Sequence, residues 1–345
     1  MYKKFFMGIA AMAALTLVSC SSDDLNSLSG NSSKNEAISF DGYLGRSAVA
    51  VNGSRGSVLE IDDLRKSSEG FGVFGNYNST GGQKFGFNLF NNQKVTGKAS
   101  AEGTKWTWTY DPVKYWPTDG HVDFLAYAPR VDNKQLNGSS IDFTVESDVA
   151  KQKDLLWAKA IGQTKQTISG TDNKVKFQFA HALSRLGYTV KLKEDYKNVT
   201  ITLKKIILAG SATESTTPAF YTKGTIDLST GLWTTSSSDA KQKFDWFSGD
   251  KSVIFTSASN PDTDYLFVIP QDFSNTDELY VIVEYTIQNG STETMTSTVS
   301  SKLTNNFLQG KAYTINLTIG LTPIEFNADV TKWDETAPGT DITWE

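Results

Sequence analysis

Gly70, Gly72 and Gly75 spell G-x-G-x-x-G, the spacing that brings a loop backbone up to a dinucleotide pyrophosphate. That chemistry needs a strand before the first glycine and a helix N-terminus after the last. The sequence offers neither. The glycines alternate with Phe71, Val73 and Phe74 in one apolar stretch and read as relief of crowding inside a strand. The chain has two histidines. His121 reads as lying in a turn, and His181, beside Leu183 and Leu186, as a hydrogen-bonded structural residue. Two distant histidines and a single cysteine, Cys20, make no recognisable zinc site. Asp262 and Asp264 resemble the start of a calcium loop, but its glycine and distal glutamate are missing, so they read as turn residues. The 38 acidic residues allow many carboxylate pairs, and no spacing singles one out for glycoside hydrolysis. The sequence is therefore expected to carry no catalytic residue, no metal site and no cofactor, and the chain is read as not an enzyme.

The remaining chemistry is done to the chain. Lys3 and Lys4 precede an apolar run over residues 5–18, too short to span a bilayer, that ends in Leu17-Val18-Ser19-Cys20. This pattern resembles a lipoprotein signal peptide, residues 1–19, cut before a Cys20 that becomes lipidated. A polar tether, residues 21–35, follows. Next comes one short alternating stretch, residues 37–44, with Ile38, Phe40 and Leu44 as its inward side chains and a register break expected near 41–43. It is followed by a polar segment carrying Arg46 and Arg55, the kind of setting that proteases prefer. Arg55 is the favoured cut, because GSR-GS is the more polar setting.

The elements that surround this stretch are strands. Period-two alternation recurs at Phe71/Val73/Tyr77, Trp106/Trp108/Tyr110, Val122/Phe124/Ala126/Ala128 and Val175/Phe177/Phe179. It returns at Val199/Ile201/Leu203, Leu279/Val281/Val283/Tyr285 and Tyr313/Ile315/Leu317/Ile319. Turn-rich pieces separate these runs, and helix is expected only over residues 61–66 and 147–153. The class is all-β, and the spacing suggests sandwiches. About 310 residues beyond the tether exceed one comfortable core, so two domains are expected, 56–172 and 173–345. The net charge of −5 argues against nucleic acid as a partner.

GFGVFGNY, WTWTYDPVKYWP, HVDFLAYAP, QKDLLWAKA, FAHALSRLGYTVKL and FLQGKAYTINLTIGLTPIEFNADVTKW follow one another over residues 70–333, within a resemblance that covers about residues 38–333. That ordered set resembles the fimbrillin-like proteins of Bacteroidota, the FimA/Mfa-like type V pilins. The resemblance implies two transthyretin-like β-sandwich domains in tandem. It implies export to the outer membrane as a lipoprotein anchored through Cys20, and cleavage after an arginine by a trypsin-like surface protease. Residues 20–55 would then be a lipidated tether and a removable strand. In the family, cleavage opens a groove that a strand from another subunit refills, building a fimbrium that supports adhesion. The expected partners are other copies or other fimbrial subunits. A donor strand is expected toward the C-terminus, either Ile324, Phe326, Ala328 and Val330 or residues 340–345. The alternative is a surface-anchored glycan- or protein-binding lipoprotein that keeps its N-terminal strand. Trp106, Trp108, Trp116 or Trp233 would then stack on sugars.

Overall fold

In the computed structural model the described residues are 36–44, 59, 61–170, 172–236, 240–255, 265–275, 278–290, 293–321 and 325–332. Cys20, Arg46, Arg55, Ile324 and residues 340–345 lie outside them. The first strands are β1 (Phe40–Leu44), β2 (Phe71–Asn78), β3 (Phe90–Ala99), β4 (Trp106–Thr109), β5 (His121–Ala128), β6 (Ser140–Thr144), β7 (Leu156–Gln163) and β8 (Val175–His181). Then come β9 (Ser184–Leu192), β10 (Val199–Ala209), β11 (Phe220–Tyr221), β12 (Lys223–Asp227), β13 (Trp233–Thr234), β14 (Lys241–Gln242) and β15 (Phe244–Val253). The last are β16 (Leu266–Val268), β17 (Gln271–Asp272), β18 (Tyr280–Asn289), β19 (Glu293–Lys302), β20 (Asn306–Phe307), β21 (Lys311–Ile319) and β22 (Glu325–Lys332). The expected helices are a six-residue α1, Ile61–Lys66, and a single 3-10 turn, Val149–Lys151, capped by the Asp148 carboxylate. The molecule is all-β, as its alternation requires.

Seven strands form one sheet in the order β1-β8-β7-β5-β2-β3-β4. Its inner strands β2 and β5 are apolar on both faces, and both faces are buried. Phe71, Val73, Val122, Phe124 and Ala126 point into one core. Phe74, Leu125 and Tyr127 point into another. Two of the G-x-G-x-x-G glycines, Gly72 and Gly75, lie in β2 as packing residues, whereas Gly70 precedes the strand with a φ of +58°. A Cβ on Gly72 would stand 2.6 Å from the Tyr127 ring, and one on Gly75 2.8 Å from Phe90.

The second core lies between two four-stranded sheets, β15-β10-β18-β19 and β16-β9-β21-β22. β10 shows how these strands hold register. Ile201 and Leu203 are buried, then Ile206 and Leu208. A bulge at Lys204–Lys205, present against both neighbours, switches the inward parity and leaves both lysines outward. A third sheet, β13-β12-β6, joins the halves, because β6 comes from the N-terminal portion and pairs with β12 from Ser140↔Asp227 to Thr144↔Lys223.

The expected division at 172/173 falls one strand before the change of core. β8 belongs to the seven-stranded sheet, and Val175, Phe177 and Phe179 fill the first core. The second begins at Ala182 and Leu183. The polar loop ahead of β8 looks like a linker in sequence, but β8 is needed to close the first core.

Candidate functional site

Residues 36–44 lie between two backbone edges. Their first half runs antiparallel to residues 114–116: Ile38 N donates to Lys114 O (2.8 Å), and Trp116 N donates to Glu36 O (2.9 Å). Their second half runs parallel to β8, in register from Phe40↔Val175 to Leu44↔Phe179, with Val175 N donating to Ser39 O (2.8 Å). It is the one parallel pairing in the seven-stranded sheet. A parallel neighbour cannot be half of a hairpin and must be reached by a long connection.

The side chains alternate as a filler strand should. Ile38 and Phe40 are 1% and 2% exposed. The Phe40 ring meets Phe90, Tyr110, Phe124 and Phe177 at centroid distances of 5.4, 5.3, 5.6 and 5.6 Å. Gly42 is buried, Leu44 is half-buried, and Tyr43 faces outward. The expected break over 41–43 is absent, and the register is continuous. Gly42 takes an inward position without a side chain because the Phe179 ring fills that space, 3.1 Å from where a Cβ would stand.

Polar contacts hold the segment at its start and beyond its end. The Tyr110 hydroxyl donates to Ile38 O (2.7 Å), and Lys114 N donates to that hydroxyl (3.2 Å). Burial pushes the Tyr110 phenol above its ordinary pKa, so it stays a donor at neutral pH. Lys165 Nζ pairs with Glu36 at 2.8 Å on the surface. At the far end, Leu44 walls a half-open cleft of about 370 Å³ with Trp157, Phe179, Ala180 and His181. His181 Nδ1 is 2.7 Å from Asp154 Oδ2, and Leu59 N donates to the same carboxylate oxygen at 3.4 Å. Both flanks of the stretch that carries Arg46 and Arg55 are therefore tied down near His181.

The other sequence candidates resolve into packing. His121 Nε2 lies 3.5 Å from Asp123, a buried carboxylate that accepts from Asn78 Nδ2, Lys84 N and Gly162 N. Its oxygens are taken up by N–H donors that clamp two loops. Among the described residues no group of three His, Cys, Asp or Glu is placed to hold a metal ion. No helix among them is long and apolar enough to cross a membrane. Trp116 is buried, Trp108 packs edge-on against Phe71 at 4.9 Å, and Trp233 donates to Ala182 O (2.7 Å); only Trp106 is left, half-buried at the sheet edge. Phe326, Ala328 and Val330 lie in β22, at register positions opposite Leu317, Ile315 and Tyr313 of β21. The sequence did not single out Tyr110, Asp154 or residues 114–116 as parts of this site. Nothing local marks them, since each acts through a partner distant in the chain.

The arrangement is a groove whose two backbone edges and aromatic floor are satisfied by one nine-residue segment, 36–44. Solved structures share the overall fold. A fimbrial protein from Bacteroides vulgatus superposes with a TM-score of 0.67 at 21% identity, covering 87% of this chain and 100% of its own. Candidate cell adhesion proteins from Bacteroides uniformis (TM-score 0.51, 18% identity, 86% and 98% covered) and Bacteroides ovatus (0.52, 16%, 87% and 98%) share the fold. No curated protein matches the chain. The family model described as fimbrillin-like matches residues 61–333, nearly all of the sheet-forming part, and the chain belongs to that family.

Proposed function

We propose that this protein is a structural subunit of a cell-surface fimbria, built as two transthyretin-like β-sandwich domains. In this reading it reaches the outer membrane as a lipoprotein anchored through Cys20. A trypsin-like protease cuts after Arg55, or after Arg46, and releases the segment that holds Ile38, Phe40 and Leu44. A strand from another subunit then fills the vacated groove, and the filament that results supports adhesion.

The observation that carries this reading is the double-edged seat of residues 36–44. Loss of that segment would bare the 175–179 and 114–116 backbone edges above the rings of Phe90, Phe124 and Phe177. Ile38 and Phe40 would each forfeit roughly 1.5–3 kcal/mol of burial. An incoming strand restores both terms, which is β-augmentation. Repeated head to tail, the contact is heterologous and does not close, so it gives a filament. The two cuttable arginines sit between the anchored ends Leu44 and Leu59.

The test is the size of the purified precursor before and after an arginine-specific protease. The uncut chain is expected to be monomeric and the cut chain to form multimers. An Arg46→Ala/Arg55→Ala chain should stay monomeric under the same treatment. Multimers of that double variant at the native rate would refute the mechanism.

A further inference from the structure

β19 ends its sheet with none of the devices that blunt an open edge. It is ten residues long, contains no proline or glycine, and keeps its two charges at its ends, Glu293 and Lys302. It pairs with β18 from Asn289↔Glu293 to Tyr280↔Lys302 without a register shift. The opposite edge of the same sheet, β15, is broken by two register shifts against β10. β16, which ends the other sheet of this core, is three residues long. Among the described residues no strand lies on the far side of β19.

The open edge has a definite pattern. Leu303 N donates to Leu279 O (2.8 Å), one step beyond the β18–β19 register. Antiparallel bonding alternates along a strand, so residues 293, 295, 297, 299 and 301 bond back to β18. The N–H and C=O groups of 294, 296, 298, 300 and 302 therefore face the open edge. Side chains alternate too. Ser297 and Val299 are half-buried, and Val299 packs against the second core. Met295 stands on the same side of the strand, yet is 60% exposed. Thr296, Thr298 and Ser300 are exposed on the other side.

Such an edge fits a second copy of itself. In an antiparallel pair, opposite residues share a face, and edge-facing groups must meet edge-facing groups. The two registers with the longest overlap are centred on Ser297 and on Thr298. Centring on Ser297 sets Met295 opposite Val299 of the second copy and Thr296 opposite Thr298, apolar with apolar and hydroxyl with hydroxyl. Centring on Thr298 sets both Met295 and Val299 opposite serines.

We propose that β19 is a self-association edge: two copies pair β19 with β19, antiparallel about a twofold axis at Ser297, and join their four-stranded sheets edge to edge. Residues 294, 296, 298 and 300 of each copy exchange the backbone bonds, and the exposed thioether of Met295 is covered by Val299 of the second copy. The contact is isologous and closes as a pair, unlike head-to-tail strand exchange. One strand edge is small beside a stable interface, so the dilute precursor stays monomeric. In filaments of the kind proposed above the same edge recurs along the length, and weak contacts between two filaments add.

The test uses the uncut full chain carrying Cys20→Ser, so its outcome does not depend on cleavage or strand exchange. On the axis, Ser297 of one copy and Ser297 of the other form a pair without mutual hydrogen bonds, with Cα atoms about 4.5 Å apart and within disulfide reach. Ser297→Cys at about 1 mM chain under mild oxidation should give a covalent dimer. Thr298→Cys, off the axis and on the outer face, should give at least about tenfold less. Thr296→Pro added to Ser297→Cys should cut the dimer by about tenfold or more and leave the urea midpoint at the parental value, because the 296 N–H serves the open edge and not β18. As much dimer from Thr298→Cys as from Ser297→Cys would overturn the register. No dimer from Ser297→Cys, or one undiminished by Thr296→Pro, would overturn the self-pairing. Assembly after cleavage is read separately, and its failure would strike the strand-exchange reading alone.

Discussion

Truncating Phe40 to alanine leaves Phe90, Tyr110, Phe124 and Phe177 facing a void, because all four rings meet at its side chain. Core Phe→Ala changes cost about 3–5 kcal/mol. Phe40→Ala should therefore lower the stability of the uncut precursor by about that amount in urea titration. After cleavage the same variant should release its N-terminal segment faster and assemble sooner. A precursor within about 1 kcal/mol of the parent would mean that the ring is not packed as described. At this scale the alternation of Ile38, Phe40 and Leu44 was readable, since period two needs only the local sequence. Gly42 was misread as a break because its reason lies in Phe179, on another strand. Tyr110 was readable only as a strand aromatic. Its bond to the Ile38 carbonyl exists only once β4 and the N-terminal segment meet.

Among elements, legibility followed burial. Strands with a buried apolar face, such as β5, β8, β18 and β21, were visible as alternation. β19, with sequence ETMTSTVSSK, and β6 were not. β19 is an edge strand with Thr and Ser along it, so little burial writes a pattern into it. Residues 324–330 were readable as a strand, but only topology tells an edge strand of its own sheet from a donor. The two roles predict different truncations. A chain ending at Lys332 should unfold at nearly the parental urea concentration yet fail to assemble after cleavage. A chain ending at Leu321 also loses β22 and its pairing along β21. At about 1 kcal/mol net per ladder bond, it should lose about 3 kcal/mol or more. Normal assembly of the Lys332 chain would exclude residues 333–345 as donor.

For the whole molecule, the sequence suggests two independent bodies, and the contacts join them. The β2–β5 wall serves both cores, and β6 leaves the N-terminal portion to pair with β12. Phe267 N, from the C-terminal portion, donates to the buried Gln152 Oε1 at 2.8 Å. Each of these links would be broken and exposed if one half unfolded alone. Leu125, Tyr127, Ile141 and Leu155, all from the N-terminal portion, would then face water. Exposing four such side chains costs roughly 6–12 kcal/mol, comparable with the stability of a whole domain. The halves should therefore melt together. Calorimetry of the uncut chain should show one transition, with calorimetric and van't Hoff enthalpies equal. A chain cut back to residues 59–172 should not fold, since it lacks β8 and with it Val175, Phe177 and Phe179 of the first core. Two resolved transitions, or a folded 59–172 fragment, would show that the shared wall does not couple the cores. Such coupling matters in a filament. Under the fimbrial reading proposed above, load applied at the seat between β8 and residues 114–116 would pass through the shared β2–β5 wall into the second core.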